Sequence, residues 1–399
     1  MSGIVGFSNL KQNLNTEFYH KILSNMAIKI NHRGSNEDGY YFSNSTLLAH
    51  KSLFFTNENH AKQPLLFTYH ENTYCITYNG QIYNAKELCK ELEEKGFTFS
   101  TNSDVEVLLK SFICWGYDVV HHLNGVFAFA IWDEAKQELF MVRDHFGIKP
   151  FYYTFKDDSF IFASEIKALF EFPGVEAKIK KEGICELFGL GPAHTAGLGI
   201  FDNVYELKPA HFAIYNTNGF KQVRYWRLES KPHTDSLGTT CGKIKMLLED
   251  SIKSQLVSDV PLCTFLSGGL DSSIISVYAS NYCKENGLPP LQTFSVDYVD
   301  NDKNFKKTDF QPNSDNYYID IMKNKINSNH TSIILDTPEL ANSLKDAMIA
   351  RDFPGMADVD SSLLLFCKKV KPYATISLTG ECADEIFAVY PWFFREDSL

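Results

Sequence analysis

Residues 267–273, Ser-Gly-Gly-Leu-Asp-Ser-Ser, place three hydroxyls, two glycines and one carboxylate in seven consecutive positions. Glycines let a backbone approach an anion with no Cβ in the way, and hydroxyls and N–H groups at a helix start supply donors. Such a turn is suited to phosphate. It is neither the Walker pattern, since no Gly-Lys-Ser/Thr follows, nor GxGxxG. Asp271 makes sense in an anion-binding loop when a divalent cation sits between its carboxylate and the phosphates. A second stretch, Thr379-Gly380-Glu381-Cys382-Ala383-Asp384-Glu385, crowds three carboxylates into residues 381–385, a repulsion that a cation offsets. Each stretch alone has a plain reading: a Gly-rich strand-to-helix turn for the first, an acid-rich helix N-terminus favoured by its dipole for the second. Both together at one sheet edge favour Mg-ATP.

A different chemistry is suggested near the chain start. Ser2-Gly3-Ile4-Val5-Gly6-Phe7 reads as a strand beginning at the terminus. Once the initiator Met is removed, Ser2 carries a free α-amine beside its hydroxyl, and that amine is a general base. The alternative is a plain edge strand. Further on, the strand Tyr74 to Tyr78 runs into Asn79-Gly80-Gln81, where the Asn79 amide and Gly80 N–H suit a tetrahedral oxyanion. An Asn-Gly also marks hairpin turns. Asp104, within Ser103-Asp104-Val105-Glu106, reads equally as a helix cap.

The elements that position these residues follow from hydrophobic period. Leu262 to Leu266 is a short apolar run, read as a buried strand, and an apolar-periodic segment from Ile274 reads as a helix. Beyond it strands and helices alternate: 291–296, 315–325, 332–335, 338–350, 361–370 and 374–378. This rhythm implies a doubly wound parallel sheet, whose ligands bind beyond the carboxyl ends of the strands. The N-terminal half reads as strands at 74–78, 123–133 and 139–143 with helices over 85–95 and from 103. Arg227 to Thr240, rich in Ser, Thr, Pro and His, reads as linker before an amphipathic helix over 242–255. The expected organisation is a first domain over 2–215, a linker over 216–240 and a second domain over 241–399.

A chain of 399 residues with 44% hydrophobic residues is long enough for two cores. The net charge of -11 argues against a nucleic-acid partner. Nine cysteines without metal-ligand spacing read as free, mostly buried thiols in a reducing compartment. Neither a signal peptide nor an apolar run long enough for a membrane helix is recognisable, so the expected location is cytoplasmic, with no membrane partner.

The Ser267 to Ser273 loop resembles the pyrophosphate loop of ATP pyrophosphatases. Arg143-Asp144-x-x-Gly147-Ile148-Lys149-Pro150-x-Tyr152-Tyr153, followed by Phe162-Ala163-Ser164-Glu165-Ile166-Lys167-Ala168-Leu169, narrows the resemblance to glutamine-dependent asparagine synthetases. The resemblance implies an α+β N-terminal domain, an Ntn-type αββα sandwich of the class II glutamine amidotransferase kind, followed by an α/β doubly wound parallel-sheet synthetase domain. It implies the nucleophile position at Ser2, oxyanion donors at Asn79 and Gly80, and glutamine contacts at Ser52, Leu53, Gln81 and Asp104. It implies ATP contacts at Leu266, Ser267, Gly268, Gly269, Leu270, Asp271, Ser272, Ser273, Val296, Thr379 and Gly380. Mg2+ would be held by Asp271 and Asp384, with Glu381 near the reacting carboxyl. The implied reaction converts aspartate and ATP to β-aspartyl-AMP, then to asparagine with nitrogen from glutamine or ammonia. A homodimer is implied by the resemblance alone.

Several positions depart from that pattern. The family's nucleophile is Cys where Ser2 stands, its carboxylate-gripping Arg falls at Ser52, and its Asn-Gly-Glu reads Asn-Gly-Gln here, with Gln81. A hydroxyl is far less ionised than a thiol near pH 7, so glutamine hydrolysis is expected to be impaired and ammonia to be the better donor. Ala388-Val389 replace glycines before Tyr390, a Val expected to be buried and crowding, and the second domain is expected to be incomplete at its C-terminus. The alternatives are an amide ligase acting on another carboxylate, similar to β-lactam synthetases, and a non-catalytic truncated homologue.

Overall fold

The computed structural model describes residues 2–54, 61–101, 103–256, 260–306 and 313–394. They form two compact units, Met1–Lys231 with Arg351–Gly355, and Pro232–Ala350 with Met356–Leu399.

The first unit stacks two six-stranded antiparallel sheets. One has the order β10-β8-β9-β1-β3-β2, built from β1 (Gly3–Ser8), β2 (Glu37–Phe42), β3 (Thr46–Ser52), β8 (Tyr152–Lys156), β9 (Ser159–Ala163) and β10 (Val204–Glu206). The other has the order β12-β11-β7-β6-β5-β4, from β4 (Leu65–Tyr69), β5 (Asn72–Ile82), β6 (Gly125–Asp133), β7 (Glu138–Arg143), β11 (His211–Asn216) and β12 (Gly219–Arg224). Alternation along each strand decides what lies on either side. Val5 and Phe7 of β1 pack with Ile22, Leu23 and Met26 of helix α1 (Glu17–Lys29), while Ile4 turns to the opposite face and meets Ala128, Ala130 and Trp132 of β6. The far face of β6, Phe127, Phe129 and Ile131, is covered by Leu88 and Leu92 of α2 (Ala85–Glu94) and Leu108 and Phe112 of α3 (Asp104–Trp115). The layers are therefore α, β, β, α, as expected. Two short helices, α4 (Ile166–Leu169) and α5 (Lys181–Gly189), complete the unit.

The second unit carries a four-stranded parallel sheet of order β15-β14-β13-β16, from β13 (Leu262–Phe265), β14 (Gln292–Tyr298), β15 (Asn329–Leu335) and β16 (Ile376–Leu378). Its helices are α6 (Leu237–Gln255), α7 (Leu270–Glu285), α8 (Asn301–Asn304), α9 (Asp315–Ile326), α10 (Thr337–Arg351), α11 (Ala357–Val370) and α12 (Ala383–Ile386). Leu262 and Leu378 face Ile252 of α6, Ala279 and Cys283 of α7 and Ile326 of α9, while Cys263, Phe294 and Ile333 face Phe366 and Val370 of α11. Helices thus cover both faces, as a doubly wound sheet requires. The chain runs from β13 outward through β14 and β15, then returns to β16 on the other side of β13, so the strand order reverses between β13 and β16.

Several boundaries differ from the sequence reading. The first unit runs past residue 215 because Gly219–Arg224 pairs with β11, Phe212 opposite Val223, and the expected 216–240 linker shrinks accordingly. Helix α6 starts at Leu237, five residues before Gly242, where the Ser236 hydroxyl caps it by accepting the Thr239 N–H at 3.3 Å. Helix α7 starts at Leu270 instead of Ile274. Only Cys75, Cys263 and Cys283 of the cysteines are buried, while Cys185, Cys241, Cys367 and Cys382 are exposed, so they are not mostly core residues.

Candidate functional site

Ser2 sits at the head of β1 and is buried. Its Oγ accepts the Leu53 N–H at 3.1 Å and its carbonyl accepts Arg33 Nε at 3.1 Å. Gly3 is level with Lys51 in the β1–β3 ladder, so Ser2, Ser52 and Leu53 come together as expected. Ser52 is buried and offers a hydroxyl with no charge. Arg33 also donates from Nη1 to Glu165 Oε1 at 2.8 Å, which His32 Nε2 meets at 2.8 Å, and Lys167 completes an ion cluster around Glu165. Burial alone would raise the Glu165 carboxyl; His32, Arg33 and Lys167 outweigh it and hold it at about 2. Arg33 Nη2 is buried without a hydrogen-bond partner. On β3, His50 contacts Thr77 of β5 at 3.3 Å, and burial pushes its imidazole down to about 3, so it is neutral near pH 7.

Asn79 and Gly80 do not end a strand or form a hairpin turn, as the Asn-Gly pair had suggested; β5 continues to Ile82 with Gly80 opposite Phe127. Phe127 spends its own N–H and C=O on Asp144, on the β7 side: its carbonyl accepts the Asp144 N–H at 2.9 Å and its N–H donates to the Asp144 carboxylate at 3.2 Å. In an antiparallel ladder the residue opposite must then direct its own polar groups away as well. The N–H groups of Tyr78, Gly80 and Ile82 therefore point to the side of β5 where β4 has already ended at Leu65, opposite Ile76. Tyr78 N–H is taken by Gln63 Oε1 at 2.8 Å, and Ile82 N–H by Asp104 Oδ2 at 3.1 Å. Gly80 lies between two clamped neighbours with its N–H directed outward. The buried Asn79 Nδ2 next to it has no partner. An unpartnered amide beside an outward-directed N–H can stabilise a developing oxyanion.

Asp104 is the first residue of α3, and the Ser103 side chain before it forms no cap bond. Its carboxylate accepts the Tyr78 hydroxyl at 2.7 Å as well as Ile82 N–H, and burial raises its pKa against those hydrogen bonds. Gln81 is partly exposed at the same strand end. The sequence reading assigned no role to Gln63; its signal was a lone Gln-Pro, which acquires meaning only once β4 is seen to stop short.

In the second unit, the Ser267 to Ser273 loop is ordered by its own hydroxyls. Ser272 Oγ accepts Ser267 N–H at 3.2 Å and donates to Gly269 C=O at 3.2 Å, Ser273 Oγ donates to the same carbonyl at 2.7 Å, and Ser267 Oγ lies 3.1 Å from Ser272 Oγ. Gly268 has φ +83°, and a Cβ there would lie 2.9 Å from the Asp315 carbonyl and 3.0 Å from Tyr318 Cβ, so the loop rests on the first turns of α9. Ser267, Gly269 and Leu270 are exposed at the start of α7, where its N–H groups accumulate.

Thr264 of β13 pairs with Leu378 of β16, so the loop after each strand leaves the same rim. A Cβ on Gly380 would lie 2.8 Å from Asp271 Cβ and 3.0 Å from Ser272 N, so the acidic loop packs directly on the Ser267 to Ser273 loop. Burial and the nearby Asp384 together raise the Asp271 carboxyl. Burial followed by Glu385 and Asp384 raises the Tyr390 phenol, which hydrogen-bonds Asp384. The meeting point is the place where strand order reverses, the usual ligand crevice of such sheets. Thr379 and Gly380 are partly exposed there, Glu381 is exposed, and Val296 is exposed at the end of β14. Leu266 is the exception: it is fully buried and its N–H donates to Phe294 C=O at 2.8 Å, so its side chain offers nothing to a ligand. Val389 is exposed, contrary to the expected crowding, whereas Ala388 adopts φ +53°, a conformation that suits glycine.

Two carboxylates at one rim fit a hard divalent cation. Among the described residues no group of three or more His, Cys, Asp or Glu converges on a metal position. Mg2+ commonly takes one or two carboxylates and completes its shell with substrate phosphates and water.

The glutamine amidotransferase domain profile matches residues 1–226, and the asparagine synthase profile matches residues 243–399. The chain belongs to the family that joins these two domains. It is 44% identical over 397 residues to the glutamine-hydrolysing asparagine synthetase 3 of Bacillus subtilis, covering the whole of this chain and 64% of that relative. Asparagine synthetase 1 of the same organism is 32% identical over 98% of this chain and 59% of its own length. Asparagine synthetase B of Escherichia coli is 28% identical over 99% of this chain and 66% of its own. The chain thus spans 59–66% of these relatives' lengths. Ser2, Ser52 and Leu53 lie together in the part matched by the first profile, and the Ser267 to Ser273 loop and the Gly380 loop lie together in the part matched by the second. Among the described residues no helix is long and apolar enough to cross a membrane.

Proposed function

We propose that the chain serves ATP-dependent amide formation, in which the β-carboxylate of aspartate attacks the α-phosphorus of ATP and expels pyrophosphate, and ammonia then displaces AMP to give asparagine. The observation that carries this reading is the packing of the Gly380 loop on Asp271 and Ser272 at the strand-order reversal. Ser267 to Ser273 would cradle the pyrophosphate, Thr379 and Gly380 would line the nucleotide, and the exposed Glu381 would lie near the reacting carboxyl. Asp271 and Asp384 would hold Mg2+, which supplies charge neutralisation for the phosphates. Glutamine would be a poor nitrogen source. Ser2 has a hydroxyl in place of a thiol, Ser52 provides no charge for a carboxylate, and Asp104 is committed to Tyr78 and Ile82. A cytoplasmic location, small-molecule substrates and a homodimer belong to the same reading.

The test is pyrophosphate release from ATP with aspartate, comparing ammonium with glutamine. Release that needs aspartate and is faster with ammonium supports the proposal. Release only with a different acid assigns the site to another carboxylate, and silence with every acid leaves a non-catalytic homologue.

A further inference from the structure

We propose that Asp297 reads the ribose hydroxyls of the nucleotide, making the second unit selective for ribonucleotides; this rests on the nucleotide reading above. Phe265 of β13 is level with Phe294 of β14, and Asp297 lies three residues beyond Phe294 on β14, toward the rim from which the Ser267 to Ser273 loop leaves. The carboxylate therefore lies at the rim beside the phosphate loop, on the neighbouring strand. An independent contact agrees: Asn316 Nδ2 donates to Asp297 Oδ2 at 3.0 Å, and Asn316 belongs to the turn of α9 on which Gly268 rests.

The carboxylate is held in one orientation. Oδ1 accepts the Tyr298 N–H at 2.9 Å and Asn301 Nδ2 at 2.7 Å. A carboxylate has about four lone-pair sites, and these three donors leave room for another. Burial would raise its pKa, but hydrogen bonds from Asn316, Tyr298 and Asn301 lower it overall, so the group stays ionised and accepts only. In dinucleotide-binding α/β sheets an acid about twenty residues past the phosphate loop accepts from ribose. Asp297 satisfies that placement through parallel β13 and β14, although the loop is of a different type.

The competing account is a structural latch between β14 and α9. ATP, 2′-deoxy-ATP and 3′-deoxy-ATP, titrated calorimetrically with Mg2+ into the whole chain and into Asp297→Ala and Asp297→Asn, separate the two. Loss of a hydrogen bond to a charged group weakens binding by about tenfold or more. The wild-type chain is expected to bind at least one deoxynucleotide about tenfold more weakly than ATP. Asp297→Ala is expected to bind ATP as weakly as that analogue while binding the analogue itself unchanged. If Asp297→Ala does not fold, Asp297→Asn, which keeps an acceptor, is expected to narrow the ratio partially. Equal binding of all three nucleotides by the wild type, or a ratio unchanged in the variants, overturns the assignment and leaves the nucleotide site standing. No ATP binding by the wild type overturns both.

Discussion

Replacing Gly380 by Ala probes the junction of the two rim loops with a single carbon. The backbone at Gly380 lies outside the left-handed region, so Ala meets no conformational penalty, and the added methyl acts only through space. It would lie 2.8 Å from Asp271 Cβ, 3.0 Å from Ser272 N and 3.2 Å from the Asp271 carbonyl carbon. Two of these are backbone atoms at the start of α7 and cannot rotate away as a side chain does. Overpacking of this kind costs about 1–3 kcal/mol. For a unit of this size each kcal/mol lowers Tm by about 2–4 °C, so the expected fall is about 2–12 °C. The functional effect should be larger than the stability effect, because relief of the clash separates Asp384 from Asp271. ATP affinity, measured by calorimetry with Mg2+ at a temperature where the variant remains folded, is expected to fall about tenfold or more. A Gly380→Ala protein that melts with the wild type and binds ATP equally well would refute the claim that the loops are in contact.

Three further outcomes follow from other residues. Ala388→Gly should stabilise the second unit by about 1 kcal/mol in denaturant unfolding, because Ala388 has φ +53° and left-handed backbone costs a non-glycine residue about that much. Glu165 titrates at about 2 instead of 4.5, so its stabilisation is fully present above about pH 4.5 and is lost as pH falls through about 2. Glu165→Gln should therefore cost about 3 kcal/mol near neutral pH and nearly nothing below pH 2, read from urea unfolding across pH. Ser2→Cys should raise glutamate release from glutamine above the wild-type rate, because a few per cent of a thiol is thiolate at pH 7. It should still require high glutamine, since Ser52 supplies no charge.

The local signals in the sequence were strong where a residue type had one physical use. Ser-Gly-Gly-Leu-Asp-Ser-Ser after an apolar run indicated a strand, a turn and a helix, and the alternation that follows indicated a parallel sheet. Non-local pairing was less legible. One of the two partners of β1 is β9, with Val5 opposite Ala163, and no local pattern announces a pairing across that separation. The same limit hid the role of Gln63, which depends on β4 stopping at Leu65, and that of Asp104, whose carboxylate is claimed by Tyr78 and Ile82 on another element. At 219–224 a short, mostly polar edge strand beside a linker-like composition had no hydrophobic period to reveal it.

The account stands on chemical activation of a carboxylate at the rim where β13 and β16 end. Aspartate carrying oxygen-18 in its β-carboxylate, incubated with the chain, Mg-ATP and ammonium, tests this directly, because adenylation followed by displacement leaves one carboxylate oxygen on the phosphate of AMP. Mass spectrometry is predicted to show AMP one label heavier, in amounts equal to the asparagine formed. AMP without label, or label recovered in inorganic phosphate, would contradict it.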